Sequence, residues 1–381
     1  MELVNETSLQ CHMERAQTFF KDLLQATVVV KGTFDVLPSG EARPSSQQPL
    51  VLREDTETPY GGTVEAELVP IKAWCDLAVL GFAHAMPPGR PTVSMVVSMR
   101  VGAFERVVRV TGHRTWLRSV GALFPSDPAP FLKLPLGYEH AFGGVARAEG
   151  EVWTPFLDNP AGRGYVLLKE DAEGTPLPNI EELDHTMKAW SDTPMPAGLA
   201  PLPRQSMLRA QRGVTVNSET KTAIVDASAF CFAHPRMCLP SYPDGAEVDL
   251  GGVSPRGKLS FRLPPFRYWL RVELGAARYQ LPIIADTLYL LPEEEKVTVV
   301  GRRTFLYQFL PERPRAVRVM SSPDANVVGT PTTIRELRAA PRPGVPVEVH
   351  TSKHYKISFE SLVQAHPIIQ LVENFPLCPS G

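Results

Sequence analysis

The sequence predicts a mainly β protein with a minor helical part: antiparallel sheets in a sandwich-like arrangement with few short helices. Three observations point there. Proline fills 38 of 381 positions, about twice average usage, and its fixed φ and missing N–H work against long helices. Runs rich in β-branched and aromatic residues recur along the chain, each closed by a turn-forming cluster. No repeat of solenoid or propeller length is visible, so the strands have to build sheets of their own.

Taken in order, residues 14–25 predict a short helix, which makes 1–25 a helical lead-in. Residues 27–37, TVVVKGTFDVL, end at Pro38-Ser39-Gly40 and predict the first strand. Residues 77–85, 92–101 and 105–111 predict a meander, with Gly102-Ala103 as a tight connection. A second helix is expected over 180–189, with Asn179 as its N-cap ahead of acidic Glu181 and Glu182. The segment 193–203 holds four prolines and no periodicity, and reads as an ordered polyproline-like connection or an exposed loop at an internal lobe boundary. Further strands are expected within 214–233 and over 258–263, 268–274, 287–291 and 296–301. Residues 26–315 therefore read as one β-rich domain. Residues 316–381, turn-rich and with an amphipathic stretch at 359–372 broken by Pro367, read as an extension.

Composition narrows the function. Thirty-nine basic against 41 acidic residues give a net charge of −2, so no overall basic field draws nucleic acid or anionic lipid. No apolar run approaches the roughly 20 residues that span a bilayer, and the first residues lack the pattern of a secretory signal. A cytoplasmic location is the expectation. Five scattered cysteines, Cys11, Cys75, Cys231, Cys238 and Cys378, do not describe a disulfide framework, and free thiols are expected.

Catalytic signals are sparse. Cys231, His234 and Cys238 offer soft ligands, but no fourth ligand lies near, so a buried pair of structural cysteines is preferred to zinc. No G-x-S-x-G turn marks a nucleophile. His113 and His140 would serve as bases, oriented by Glu139 or Asp286, in a hydrolase or transferase reading. Gly143-Gly144 and the Gly162/Gly164 pair lack a Walker lysine and the dinucleotide spacing, so they read as tight turns. Phe266, Arg267, Tyr268 and Trp269 alternate as a strand with a core face would. No catalytic residue, metal or cofactor is assigned.

The more informative signal is an ordered series of segments. Pro135-Leu136-Gly137-Tyr138-Glu139-His140-Ala141-Phe142-Gly143-Gly144 is followed by Asn159-Pro160-Ala161-Gly162-Arg163-Gly164-Tyr165 and by Leu177-Pro178-Asn179-Ile180-Glu181. Downstream come residues 285–292, with Asp286-Thr287-Leu288, and 297–303, which end Gly301-Arg302-Arg303; upstream stands Gly112-His113-Arg114-Thr115-Trp116. By their residue types alone, Asn159-Pro160 followed by Gly162 and Gly164 form a loop of one shape. Tyr138, Glu139 and Phe142 either present a recognition loop or buttress one internally. Asp286-Thr287 reads as a cap or turn before a strand.

Over residues 26–310 this series resembles the adaptor family encoded beside type VI secretion effectors, long known only as a domain of unknown function. The resemblance implies a cytoplasmic adaptor or chaperone that holds a secreted effector and helps load it on the VgrG/PAAR spike. Its motif-loop residues here are Tyr138, Glu139, His140, Phe142, Gly143, Gly144, Asn159, Pro160, Gly162, Gly164, Asn179 and Glu181. Two positions depart from the family pattern: His113 stands where Asp is usual and His140 where Arg is usual, each removing a formal charge. The family's Gly-Thr-Tyr-Asp-x-x-Trp stretch has no counterpart at Gly213-Val214-Thr215-Val216-Asn217. The alternatives are the hydrolase or transferase above, and a structural component of the secretion apparatus.

Overall fold

The computed structural model describes residues 1–17, 23–148, 152–210, 214–217, 222–274, 277–308, 315–324, 332–333, 347–348 and 354–358. Its frame is a large mixed sheet around two long antiparallel strands, Leu23–Val36 and Lys296–Gln308, paired from Asp35↔Lys296 to Leu23↔Gln308. The β-branched run explains the position: Val28, Val29 and Val30 are all fully buried, so this strand is covered on both faces. Ile284–Leu291 follows antiparallel to Lys296–Gln308, and Cys75–Val79 lies parallel to it.

A second sheet runs in the order Ile180–Glu182, Phe104–Thr111, Ser94–Val101, Glu247–Ser254, Gly257–Arg262. Gly102, at φ +58, makes the sharp turn between its two central strands, with Val101 opposite Phe104. Val97, Met99, Val101, Val108 and Val110 point inward from it. A third sheet joins Glu2–Asn5, Arg315–Met320, Trp269–Leu274 and Ala277–Pro282. One continuous apolar core draws on all three sheets, with Leu77, Val108, Leu288 and Val317 among its fully buried members. Between the sheets' strands, residues 112–190 form a lobe of short two-stranded pairs around its own core of Trp116, Phe142, Val166, Ala172, Leu177 and Met187. No helix among the described residues is long and apolar enough to cross a membrane.

The mainly β, mostly antiparallel architecture agrees with the expectation, and no closed barrel forms among the described residues. Both predicted helices are corrected. Gln10–Gln17 is a strand whose residues pair one for one with Leu24 to Lys31; a neighbouring strand with free edge groups outweighs weak local helix preference. Ile180–Glu182 is likewise a strand, held by Phe104–Thr111, so Asn179 is no N-cap. The 193–203 segment is an ordered connection rather than an exposed loop. Leu199 donates to the Leu136 carbonyl and accepts from the Val79 N–H, and Leu199 and Leu202 are buried. The 27–37, 92–101, 105–111, 258–263, 268–274, 287–291 and 296–301 stretches all fall on strands, while 77–85 divides into Cys75–Val79 and Phe82–His84 at Gly81. Arg315–Met320 crosses the expected boundary at 316 by pairing with Trp269–Leu274. The stretches at 341–346 and 359–372, and Cys378, lie outside the described residues.

Candidate functional site

The ordered motifs converge in the lobe. Tyr138–His140 is a single 3-10 turn. Its Tyr138 carbonyl and that of Phe142 both accept from Asn159 Nδ2, at 2.8 and 2.9 Å, and Asn159 is fully buried. Asn159-Pro160-Ala161-Gly162 closes as a turn, with the Gly162 and Gly144 N–H groups both donating to the Asn159 carbonyl. The next two residues, Arg163–Gly164, pair parallel with Phe142–Gly143. The glycines are required by this packing: Gly143, at φ +145, lies so close to Asn159 that a Cβ would collide with its carbonyl. Buried Tyr138 packs its ring against Gly198 and donates its hydroxyl to the Gly198 carbonyl at 3.2 Å.

Asn179 is the hub. Its N–H donates to the His140 carbonyl, its carbonyl accepts from the Thr111 N–H, and its Nδ2 donates to the Thr111 carbonyl at 2.9 Å. Its Oδ1 accepts from Arg163 Nη1 and from His140 Nδ1, each at 3.1 Å. That arrangement assigns the proton to Nδ1 of His140. Burial lowers the His140 pKa from its ordinary value; the Asn179 bond and the Glu139 charge act the other way, and the Arg163 charge reinforces the lowering. Glu181 accepts from the Met187 N–H on one oxygen and from Arg114 on the other, each at 2.7 Å. Arg114 also donates to the Pro178 carbonyl at 2.9 Å. Trp116, of the same segment, is wholly buried in the lobe core.

Glu139 is half-buried beside Gly61 and Gly62, with Oε2 buried and lacking a hydrogen-bond partner. His113 is exposed. A cavity of about 810 Å³ lies between Ser39–Ala42 and the strand Gly257–Arg262. Two smaller ones measure about 290 and 260 Å³. None of the three is lined by His113, Glu139 or His140.

The downstream motifs make a separate buried tie. Asp286 sits inside the strand Ile284–Leu291 at a register shift, rather than capping it, and Arg302 grips it bidentately at 2.5 and 2.9 Å. Asp76, with no exposed surface, accepts from Lys72 at 2.5 Å and from the Phe232 and Ala233 N–H groups. Cys238 Sγ lies 3.7 Å from Asp76 Oδ1. His234 caps the turn Pro235–Met237 by accepting the Arg236 N–H at Nδ1. Among the described residues no three His, Cys, Asp or Glu side chains are grouped to hold a metal ion. Phe261 and Phe266 are buried, with Tyr268 packed at the core's edge.

Sequence reasoning missed the residues that share the cavity beside Glu181: Ser94, Arg109, Thr111 and Ser126. Arg109 stands directly opposite Glu181 in the strand pairing, a relation with no signature in either segment alone.

No curated protein and no solved structure matches the chain. The sequence profile described as an uncharacterized protein conserved in bacteria, DUF2169, matches residues 22–302, which takes in every motif up to Arg302. The chain therefore belongs to the DUF2169 family of bacterial proteins.

Proposed function

We propose that this chain is a cytoplasmic adaptor that binds a secreted effector of a type VI system and helps load it on the VgrG/PAAR spike. One observation carries the reading: most of the large apolar side chains exposed among the described residues fall between Leu117 and Leu183, in the lobe that also holds the motifs. On its hairpins, Val145, Val152, Trp153 and Leu157 stand 49 to 67% exposed, and Val120 tips the other pair fully exposed. Exposed apolar surface gathered in one region marks a place for another protein. In the same lobe Tyr138, Asn159, Asn179 and Glu181 are spent on internal hydrogen bonds, which suits a scaffold holding that surface in shape. The link to type VI secretion comes from the resemblance of the motif series.

The test is affinity capture from the source bacterium, with the tagged full-length chain as bait and mass spectrometry of what is retained. Stoichiometric recovery of a spike protein or of a toxin encoded nearby is the expected result. Incorporation of the chain itself into assembled spikes would favour the structural-component reading, and recovery of nothing beyond the tag control would remove the adaptor.

A further inference from the structure

We infer that the cavity between Arg109 and Arg114 is a binding site for an oxyanion, a carboxylate or a phosphate. The cavity holds about 290 Å³, the small end of ligand pockets and enough for one acidic group with its near neighbours. Its wall carries the two arginines and the hydroxyl residues Ser94, Thr111, Ser126 and Thr186.

The charge balance is what calls for an anion. Glu181 is the one acidic residue lining the cavity, and both its oxygens are taken, one by Arg114 and one by the Met187 N–H. Arg109 faces Glu181 across the strand pairing, yet no ion pair or hydrogen bond engages its guanidinium among the described residues. Arg114 spends Nη2 on Glu181 and Pro178, and its Nε is buried without a partner. The cleft, lined also by hydroxyl residues, thus carries one more positive than negative charge, and Arg109, exposed and unpaired, is the guanidinium free to meet an anion. A planar guanidinium matches an oxyanion with parallel N–H groups, in a way a hydrated lysine does not.

The site stands on this chemistry and not on the adaptor reading. Isothermal titration of the full-length protein at low ionic strength, with inorganic phosphate and with acetyl-Gly-Glu-Gly-amide, tests it. Acetyl-Gly-Gln-Gly-amide serves as the neutral control. The expected result is saturable binding of the acidic probes and not of the neutral one, weakened at least fivefold by Arg109→Gln and unchanged by Arg90→Gln, an exposed arginine outside the cavity. Binding of the glutamyl peptide assigns the site to a partner's carboxylate, and binding of phosphate alone assigns it to a free anion. Failure of both acidic probes, or equal binding by Arg109→Gln, would overturn the inference. Loss of effector capture with anion binding intact would instead remove only the adaptor.

Discussion

Arg114 and Glu181 meet at 2.7 Å with 13 and 2% of their side chains exposed, tying two segments 67 residues apart. Because the carboxylate is buried and also holds the Met187 N–H, its charge has no route to water if the arginine is removed. Arg114→Met is expected to cost about 3–5 kcal/mol, the usual penalty for orphaning one member of a buried pair. The double variant Arg114→Met/Glu181→Leu should recover part of that loss. Urea midpoints of the three proteins check it; a double variant no more stable than the single one contradicts it.

The amide of Asn159 serves two carbonyls, those of the buried residues Tyr138 and Phe142. Asn159→Ala is expected to cost about 2–4 kcal/mol by leaving those buried acceptors unpaired. Asn159→Asp should be at least as harmful, since a carboxylate would face the same carbonyls. Pro160→Ala, which removes only a conformational restriction, should cost about 1 kcal/mol or less. Thermal melts of the three variants give the ranking directly.

Gly143 and Gly89 separate crowding from backbone strain. Both have positive φ, but nothing lies within 4 Å of a Cβ built at Gly89, while one at Gly143 would strike the Asn159 carbonyl. Gly89→Ala should cost about 1–2 kcal/mol for the left-handed backbone alone. Gly143→Ala should cost about 3 kcal/mol or more, because overpacking is added to strain. Comparable urea midpoints for the two would refute the close approach.

His140 sets a pH dependence. Its folded-state pKa lies below the unfolded value, which is about 6.5. Between the two values the unfolded chain binds the extra proton, so this contribution to stability falls as pH drops below about 6.5 and levels off below the folded pKa. Relative to His140→Gln, the natural protein should therefore lose stability between pH 7 and pH 5. A stability difference that stays constant across that range would show that the imidazole is not held neutral.

The parts of the fold that could be read from sequence are those closed locally. Residues 92–101 and 105–111 flank Gly102-Ala103, and the hairpin needs nothing else to define it. Residues 180–189 read as a helix because the partner of Ile180–Glu182 is Phe104–Thr111, some 70 residues upstream, whereas 14–25 read as one because the run covers the end of Gln10–Gln17 and the start of its neighbour Leu23–Val36, with no Gly or Pro to mark the break. The same distance governs the site. Asn159, Asn179 and Glu181 stand out as motif residues, but what each does is decided by Tyr138, Thr111 and Arg114, brought close only by the fold. Arg109 is one basic residue in an ordinary alternating strand, and only its unanswered charge beside Glu181 distinguishes it.

The 112–190 lobe is proposed as a protein-binding surface held in shape by the motif residues. Trp153→Ser/Phe124→Ser replaces two exposed side chains, 67 and 42% accessible, and should leave the melting temperature within a few degrees of the natural protein. Quantitative capture of the spike protein or effector by this variant, set against capture by the natural chain, is the deciding measurement. The account predicts at least a tenfold loss; capture undiminished in a fully folded variant would contradict it.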